Sequence, residues 1–143
     1  MATGTLVVER AVRDALVGHA REGAPAEVCG VLGGDDGDGA GESVRVTRHE
    51  PVGNVAPTPR TRYELDPEAQ FAALRRVEDD GDDVVGFYHS HPRGPAGPSA
   101  TDEAQATWPD AVYCIVSLAD AEPRLGAWRW TGERFADLTV RVE

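Results

Sequence analysis

VVGFYHSHPRGPAGPSATD, residues 84–102, decides how the chain is read. It opens as an apolar run of strand length and carries straight into two histidines. Residues two apart on a strand leave the same face with alpha carbons roughly 6.5–7 Å apart, so His89 and His91 can converge on one ion. Alone, such a pair says little, because a strand-end histidine often just satisfies a hydrogen bond. The residues after the pair change the reading. Pro92, Pro95 and Pro98 remove backbone donors while Gly94 and Gly97 permit tight bends, so PRGPAGP forms neither helix nor strand. It is a stiff turn that returns the chain to the histidines. Ser99 and Asp102 then read as S-x-x-D at a helix start, which as a capping box would only satisfy backbone amides. A hard oxygen ligand completing His89, His91 and Asp102 around one zinc ion accounts for the pair, the turn and the acid together.

Three protein ligands leave a fourth tetrahedral position open, the arrangement of a catalytic zinc, whereas a structural one normally closes its shell with cysteines. Cys29 and Cys114 lack paired CxxC spacing and sit in apolar surroundings, EVCGVLGG and AVYCIVSL. They read as buried thiols, with a bridge between them left open. Attack on an amide also needs a carboxylate to take and return a proton. Glu27, at the junction of helix and strand in AEVCG, is the candidate, although by itself it would pass for an exposed glutamate in a turn.

Working outward, Leu6–Glu9 is a short strand. Val12, Leu16, Val17 and Ala20 recur at helical spacing until Gly23 and Pro25 stop the helix. CGVLG is a second strand. GDDGDGAGE, 34–42, is a solvated hairpin loop, since it lacks the regular EF-hand spacing that calcium would need. Ser43–His49 alternates as a half-exposed strand, and 51–66, with three prolines, is an extended surface loop of the kind that often holds ligands. Asn54 and Tyr63 in this loop are expected to act on substrate affinity. Asp66 or Pro67 starts a helix with Phe71, Leu74 and Val77 on one face, closed by EDDGDD. VYCIVSL is a core strand, and LGAWRWTGERFADLTVRV is a hairpin turning at Thr131–Glu133. Strands with intervening helices, no repeat and no linker predict one domain of α/β or α+β class over residues 1–143, built around one sheet.

The 143 residues and 41% hydrophobic content suit one globular core, and no apolar run approaches the roughly 18–20 residues of a membrane span. MATGTLVVERAVRD has charges where a secretory signal would be apolar, so a soluble, cytoplasmic protein without a membrane partner is expected. The net charge is −11, and all fourteen basic residues are arginine. That balance argues against nucleic acid as a partner, which would require a basic face. The excess acid is that of a surface working in concentrated salt, with a GC-rich genome as the competing explanation for the missing lysine.

AEVCG with Glu27, HSHP at 89–92, then Ser99 and Asp102 at their spacing resembles the signature of the JAMM (MPN-plus) zinc metalloproteases at every position. The flanking helix, the Asn54 loop, YELDP and VGFYHSHP extend the resemblance over nearly the whole chain, toward the compact archaeal and bacterial members. The lysine-free acidic surface is similar to the halophilic archaeal branch that includes desampylases. The resemblance implies an α/β, cytidine-deaminase-like mixed sheet flanked by helices, with one zinc per chain on His89, His91 and Asp102. It implies Glu27 as general base and then acid, Ser99 steadying the water and the developing oxyanion, and Ser90 as a structural spacer. The implied activity is an isopeptidase releasing ubiquitin-like modifiers of the small archaeal (SAMP) type from target proteins by cutting the amide after their terminal Gly-Gly. The alternatives are processing of a sulfur-carrier protein at a linear bond after Gly-Gly, and a module that binds a ubiquitin-like tail without cutting it. A zinc deaminase would need H-x-E and PCxxC, which are missing. Only a short turn separates Leu118 from Leu125, so the insertion that chain-specific members use to select a linkage is not expected. The modifier cut and the oligomeric state stay open.

Overall fold

A computed structural model describes residues 4–37 and 43–143. The elements in chain order are β1 (Thr5–Val8), α1 (Arg10–Gly23), β2 (Cys29–Asp35), β3 (Ser43–Val52), α2 (Pro67–Asp79), β4 (Asp83–His91), α3 (Ala100–Gln105), β5 (Val112–Ser117), β6 (Arg124–Trp130) and β7 (Phe135–Val142). The seven strands close into a barrel in the order β1-β3-β2-β4-β5-β6-β7. Closure depends on β1, which pairs in parallel with both β3 and β7. The mixed sheet with flanking helices expected from the sequence is present, and its closure is an addition. Residues 38–42 of the acidic hairpin loop lie outside the described residues.

The two sheet faces carry different helices. Val12, Leu16, Val17 and Ala20 of α1 pack with Leu6, Val44, Tyr88, Cys114 and Val116. Ala73 and Val77 of α2 pack with Val31, Phe87 and Tyr113. Phe71, expected on that inner face, is 62% exposed. It precedes Ala73 by two positions, roughly 200° around a helix, so the Ala73–Val77 pair that meets the sheet turns Phe71 outward. The strand β3 also runs on to Val52, taking in Pro51, where the sequence suggested a loop.

β4 and β5 pair in parallel, with Gly86 opposite Val112 and His91 opposite Ser117. A Cβ on Gly86 would lie 1.9 Å from the Val112 carbonyl oxygen, so glycine is required where these strands approach. Parallel neighbours need a crossover. Here it is the proline turn and α3, which leave the end of β4 and bring Ser99 and Asp102 back over it. Cys29 is in register with His89 and Cys114 with Tyr88. Adjacent residues of a strand face opposite ways, so the two cysteines lie on opposite faces and remain free thiols. Burial, with Glu27 adding to it at Cys29, pushes each thiol up to about 12.

Candidate active site

His89 and His91 project from the end of β4 on the Phe87 face. Their Nε2 atoms are 3.2 Å apart, and Asp102 Oδ2 stands 3.1 Å from the first and 3.0 Å from the second. Glu27 joins them, and one donor atom from each of the four residues lies within 4.8 Å of all the others. All four side chains are buried. The residues the sequence singled out as ligands and base are therefore in one place.

His91 Nδ1 donates to the Pro95 carbonyl at 2.8 Å, which makes its Nε2 the atom turned toward the cluster. The proline turn is itself held by Ser117, whose hydroxyl donates to the Gly94 carbonyl. Ser117 is a buried residue in an apolar strand, and nothing in VYCIVSL marks it. Ser99 caps α3: its Oγ accepts from the Asp102 N–H at 3.0 Å, and its N–H donates to Asp102 Oδ2 at 2.9 Å. The capping box and the approach of the carboxylate to the histidines are thus one structure. The cap fixes the rotamer that points Oδ2 at the histidines.

Tyr63, expected on a surface loop, is only 5% exposed and stacks on His89 with ring centroids 4.1 Å apart. Asn54 also faces inward, donating to the Glu27 carbonyl at 2.9 Å. Ser90 Oγ, on the opposite face of β4, accepts from the Val28 N–H at 2.8 Å and so ties the Glu27 segment to the histidine strand.

Two imidazole nitrogens and a carboxylate oxygen standing 3.0–3.2 Å apart need a hydrogen or a cation among them. A proton is the minimum. Burial disfavours the His91 imidazolium, but Asp102 and the Pro95 carbonyl outweigh it and raise its pKa. Burial likewise opposes ionisation of Asp102, and the two histidines overcome it and hold the acid well below the usual carboxylate range. His89 is kept below the ordinary imidazole value, chiefly by burial, which favours the neutral form a metal ligand needs. A tetrahedral ion with bonds of about 2.0–2.1 Å sets its ligand atoms roughly 3.3–3.4 Å apart, within a few tenths of an ångström of this triangle. The donor set of two imidazoles and a carboxylate therefore fits a metal ion. His91 has the second hydrogen bond typical of a metal-bound imidazole, while His89 Nδ1 is buried without a partner. Glu27 Oε1 is also unpartnered, and burial pushes this carboxyl up to about 7, with His91 opposing and Asp102 assisting.

The family described as prokaryotic homologues of the JAB domain matches residues 9–131. The chain belongs to this family. It is a hydrolase of the JAMM metalloprotease type, as the signature resemblance implied. It is 48% identical to a desampylase of Haloferax volcanii over the full length of both chains. It is 43% identical to the CysO-cysteine peptidase of Mycobacterium tuberculosis, with 80% of this chain and 75% of that one covered. The solution structure of a Desulfitobacterium hafniense protein superposes with a TM-score of 0.85 at 29% identity, covering 96% of this chain and 92% of that one.

Proposed function

We propose that the chain is a zinc-dependent isopeptidase, one catalytic domain over residues 1–143, that cuts the amide after the C-terminal Gly-Gly of a small archaeal ubiquitin-like modifier and frees it from its target. The observation that carries this reading is the 3.0–3.2 Å triangle of His89, His91 and Asp102 beside Glu27, whose Oε1 is buried without a partner. The full-length similarity to a desampylase supports the choice of substrate. No helix among the described residues is long and apolar enough to cross a membrane.

Zinc held by the three ligands would supply a Lewis acid and make a water more acidic. The remaining work falls to the chain. His89, His91 and Asp102 hold the ion, with His91 aimed by Pro95 and Asp102 by Ser99. Glu27 takes a proton from the water and returns it to the leaving amine, a task suited to a carboxyl that burial raises above the ordinary glutamate value. The Ser99 hydroxyl uses its lone pair on the Asp102 N–H, so its proton is left to donate to the carbonyl oxygen as charge develops there. Beside the site, Tyr63, Leu65, Phe87, Trp108 and Tyr113 line an open cavity of about 290 Å³, room for a peptide side chain near the cut bond.

The similarity to a CysO-cysteine peptidase favours a second reading, release of a residue joined by a linear bond after Gly-Gly of a sulfur-carrier protein. Incubating the protein with both substrate types, with and without a chelator, separates the readings. Chelator-sensitive release from lysine conjugates is the expected result, and cleavage of the linear substrate alone would replace the first reading with the second.

A further inference from the structure

The aim of Glu27 is a main-chain matter. Its Oε1 is buried with no hydrogen-bond partner, so the position of the carboxylate depends on how the backbone beneath it is held. That backbone is held on both sides. The Glu27 N–H donates to the Pro59 carbonyl at 2.6 Å, and the next residue, Val28, exchanges hydrogen bonds with Ser90 in β4. The Glu27 carbonyl accepts from Asn54 Nδ2.

Asn54 makes three further bonds. Nδ2 also donates to the Arg62 carbonyl at 3.2 Å, and Oδ1 accepts from the N–H groups of Ala56 and Glu64, both at 3.0 Å. An amide offers two donors and two acceptor lone pairs, and all four are used on backbone partners. These come from three segments: the entry to β2, the outgoing limb of the loop and its return limb. The return limb carries Tyr63 between Arg62 and Glu64, and Tyr63 stacks on His89. One side chain therefore ties the carboxylate-bearing residue to the loop that covers a metal-facing imidazole.

Resting on the reading of Glu27 as the proton carrier, we propose that Asn54 is a positioning residue for the reaction, setting the aim of Glu27 by holding its peptide carbonyl. Asparagine is the residue this task requires. Aspartate has the shape but cannot donate, serine lacks the second pair of contacts, and glutamine is one methylene too long for the same four partners.

Asn54→Asp keeps both acceptor bonds and loses both donor bonds, while Asn54→Ala loses all four. Thr61→Ala, which removes only a bond to the Thr58 carbonyl within the same loop, is the control. With metal content measured alongside, Asn54→Asp is expected to lower kcat by more than about tenfold, shift the acidic limb of kcat/KM, keep one metal per chain and change KM less than about threefold. Amide hydrogen exchange supplies a readout independent of activity. In Asn54→Asp the Glu27 amide, whose bond to the Pro59 carbonyl depends on the Glu27 backbone being held at its own carbonyl, should exchange at least about tenfold faster while the Glu64 amide, bonded directly to the retained Oδ1, stays protected; in Asn54→Ala both should speed up; in Thr61→Ala neither should. Wild-type kcat in Asn54→Asp, a rise in KM alone, or an equal kcat loss in Thr61→Ala would overturn the proposal. So would failure of both Asn54 variants to fold. If the wild-type protein cuts no conjugate, the functional reading fails, and the Glu27-against-Glu64 exchange pattern still decides whether Asn54 holds the Glu27 backbone.

Discussion

The chain has four histidines, and the fold sorts them into two pairs on opposite sides of β4. His89 and His91 share Asp102 on the Phe87 face. On the other face His19 Nδ1 lies 2.8 Å from the Tyr88 hydroxyl, and the His49 ring is 6.1 Å from the Tyr88 ring. Both outer histidines are pulled below the ordinary imidazole value, first by burial. Glu50, the acid that acts on His49, is committed to Arg48 and Arg76. Two imidazoles near each other are thus common to both pairs. What separates them is a buried carboxylate shared by both rings, and among the described residues only the Glu27, His89, His91 and Asp102 group meets the geometry of an ion site.

The largest effect should come from the inner pair. His89→Ala, His91→Ala and Asp102→Asn should each lose stoichiometric metal by elemental analysis and, with it, all cleavage. His19→Gln and His49→Gln should keep one metal per chain. Metal lost from an outer variant and retained in an inner one would invert the contrast.

Next in size is Glu27→Gln, which keeps the metal and lowers kcat by about 10²–10⁴, the range for removing a general acid-base group. In the wild type, cleavage should fall as pH drops through the Glu27 pKa, because a protonated Glu27 cannot accept a proton; that pKa is about 7 without an ion. A bound cation favours the ionised form and moves this limb to lower pH. Unchanged turnover in Glu27→Gln would remove the carboxylate from the reaction.

A smaller effect separates the pairs in stability. A histidine whose folded pKa is depressed binds fewer protons in the native state than in the unfolded chain, so stability is lost as pH falls through the unfolded value of about 6.5. His19 and His49 carry that sign. Their contribution to the urea midpoint should therefore fall between pH 7 and pH 5, against the opposite sign carried by Glu27 and His91, so His19→Gln and His49→Gln should each make the midpoint hold up better toward pH 5 than it does in the wild type. Parallel slopes in variant and wild type would show that the outer pair does not titrate with folding.

Much of the inner site was legible because its signals are local. HSH at a strand end sets a common face, three prolines set a turn, and S-x-x-D sets a helix start. Cap and ligand compete as readings of S-x-x-D only in the sequence, since in the fold Asp102 Oδ2 accepts from the Ser99 N–H and also faces both histidines. The less legible features are long-range. Barrel closure requires β1 to meet β7 from the far end of the chain. A proline-rich stretch reads as surface whether or not Tyr63 folds back on His89, and Asn54 becomes informative only once Glu27, Arg62 and Glu64 are brought around it. Phe71 was assigned to the wrong face because three apolar positions fit a helical stripe, and the smaller Ala73 was the one that met the sheet.

The smallest expected effect is of salt, and its sign depends on a balance visible on the surface. Arg48 binds Glu50, Asp80 and Asp82, and Arg45 and Arg141 both bind Glu143. Screening weakens such pairs, but exposed ones are worth only about 0–1 kcal/mol each. With 25 acidic side chains against 14 arginines, a net charge of −11 remains, and its repulsion acts over longer distances than the pairs do. In molar salt the screening length falls to about 3 Å, so repulsion is removed more completely than contact pairing. The melting temperature should therefore rise from dilute buffer into molar potassium chloride, as for a protein adapted to concentrated salt. A flat or falling melting temperature would mean that the arginine pairs dominate and that genome composition accounts for the missing lysine.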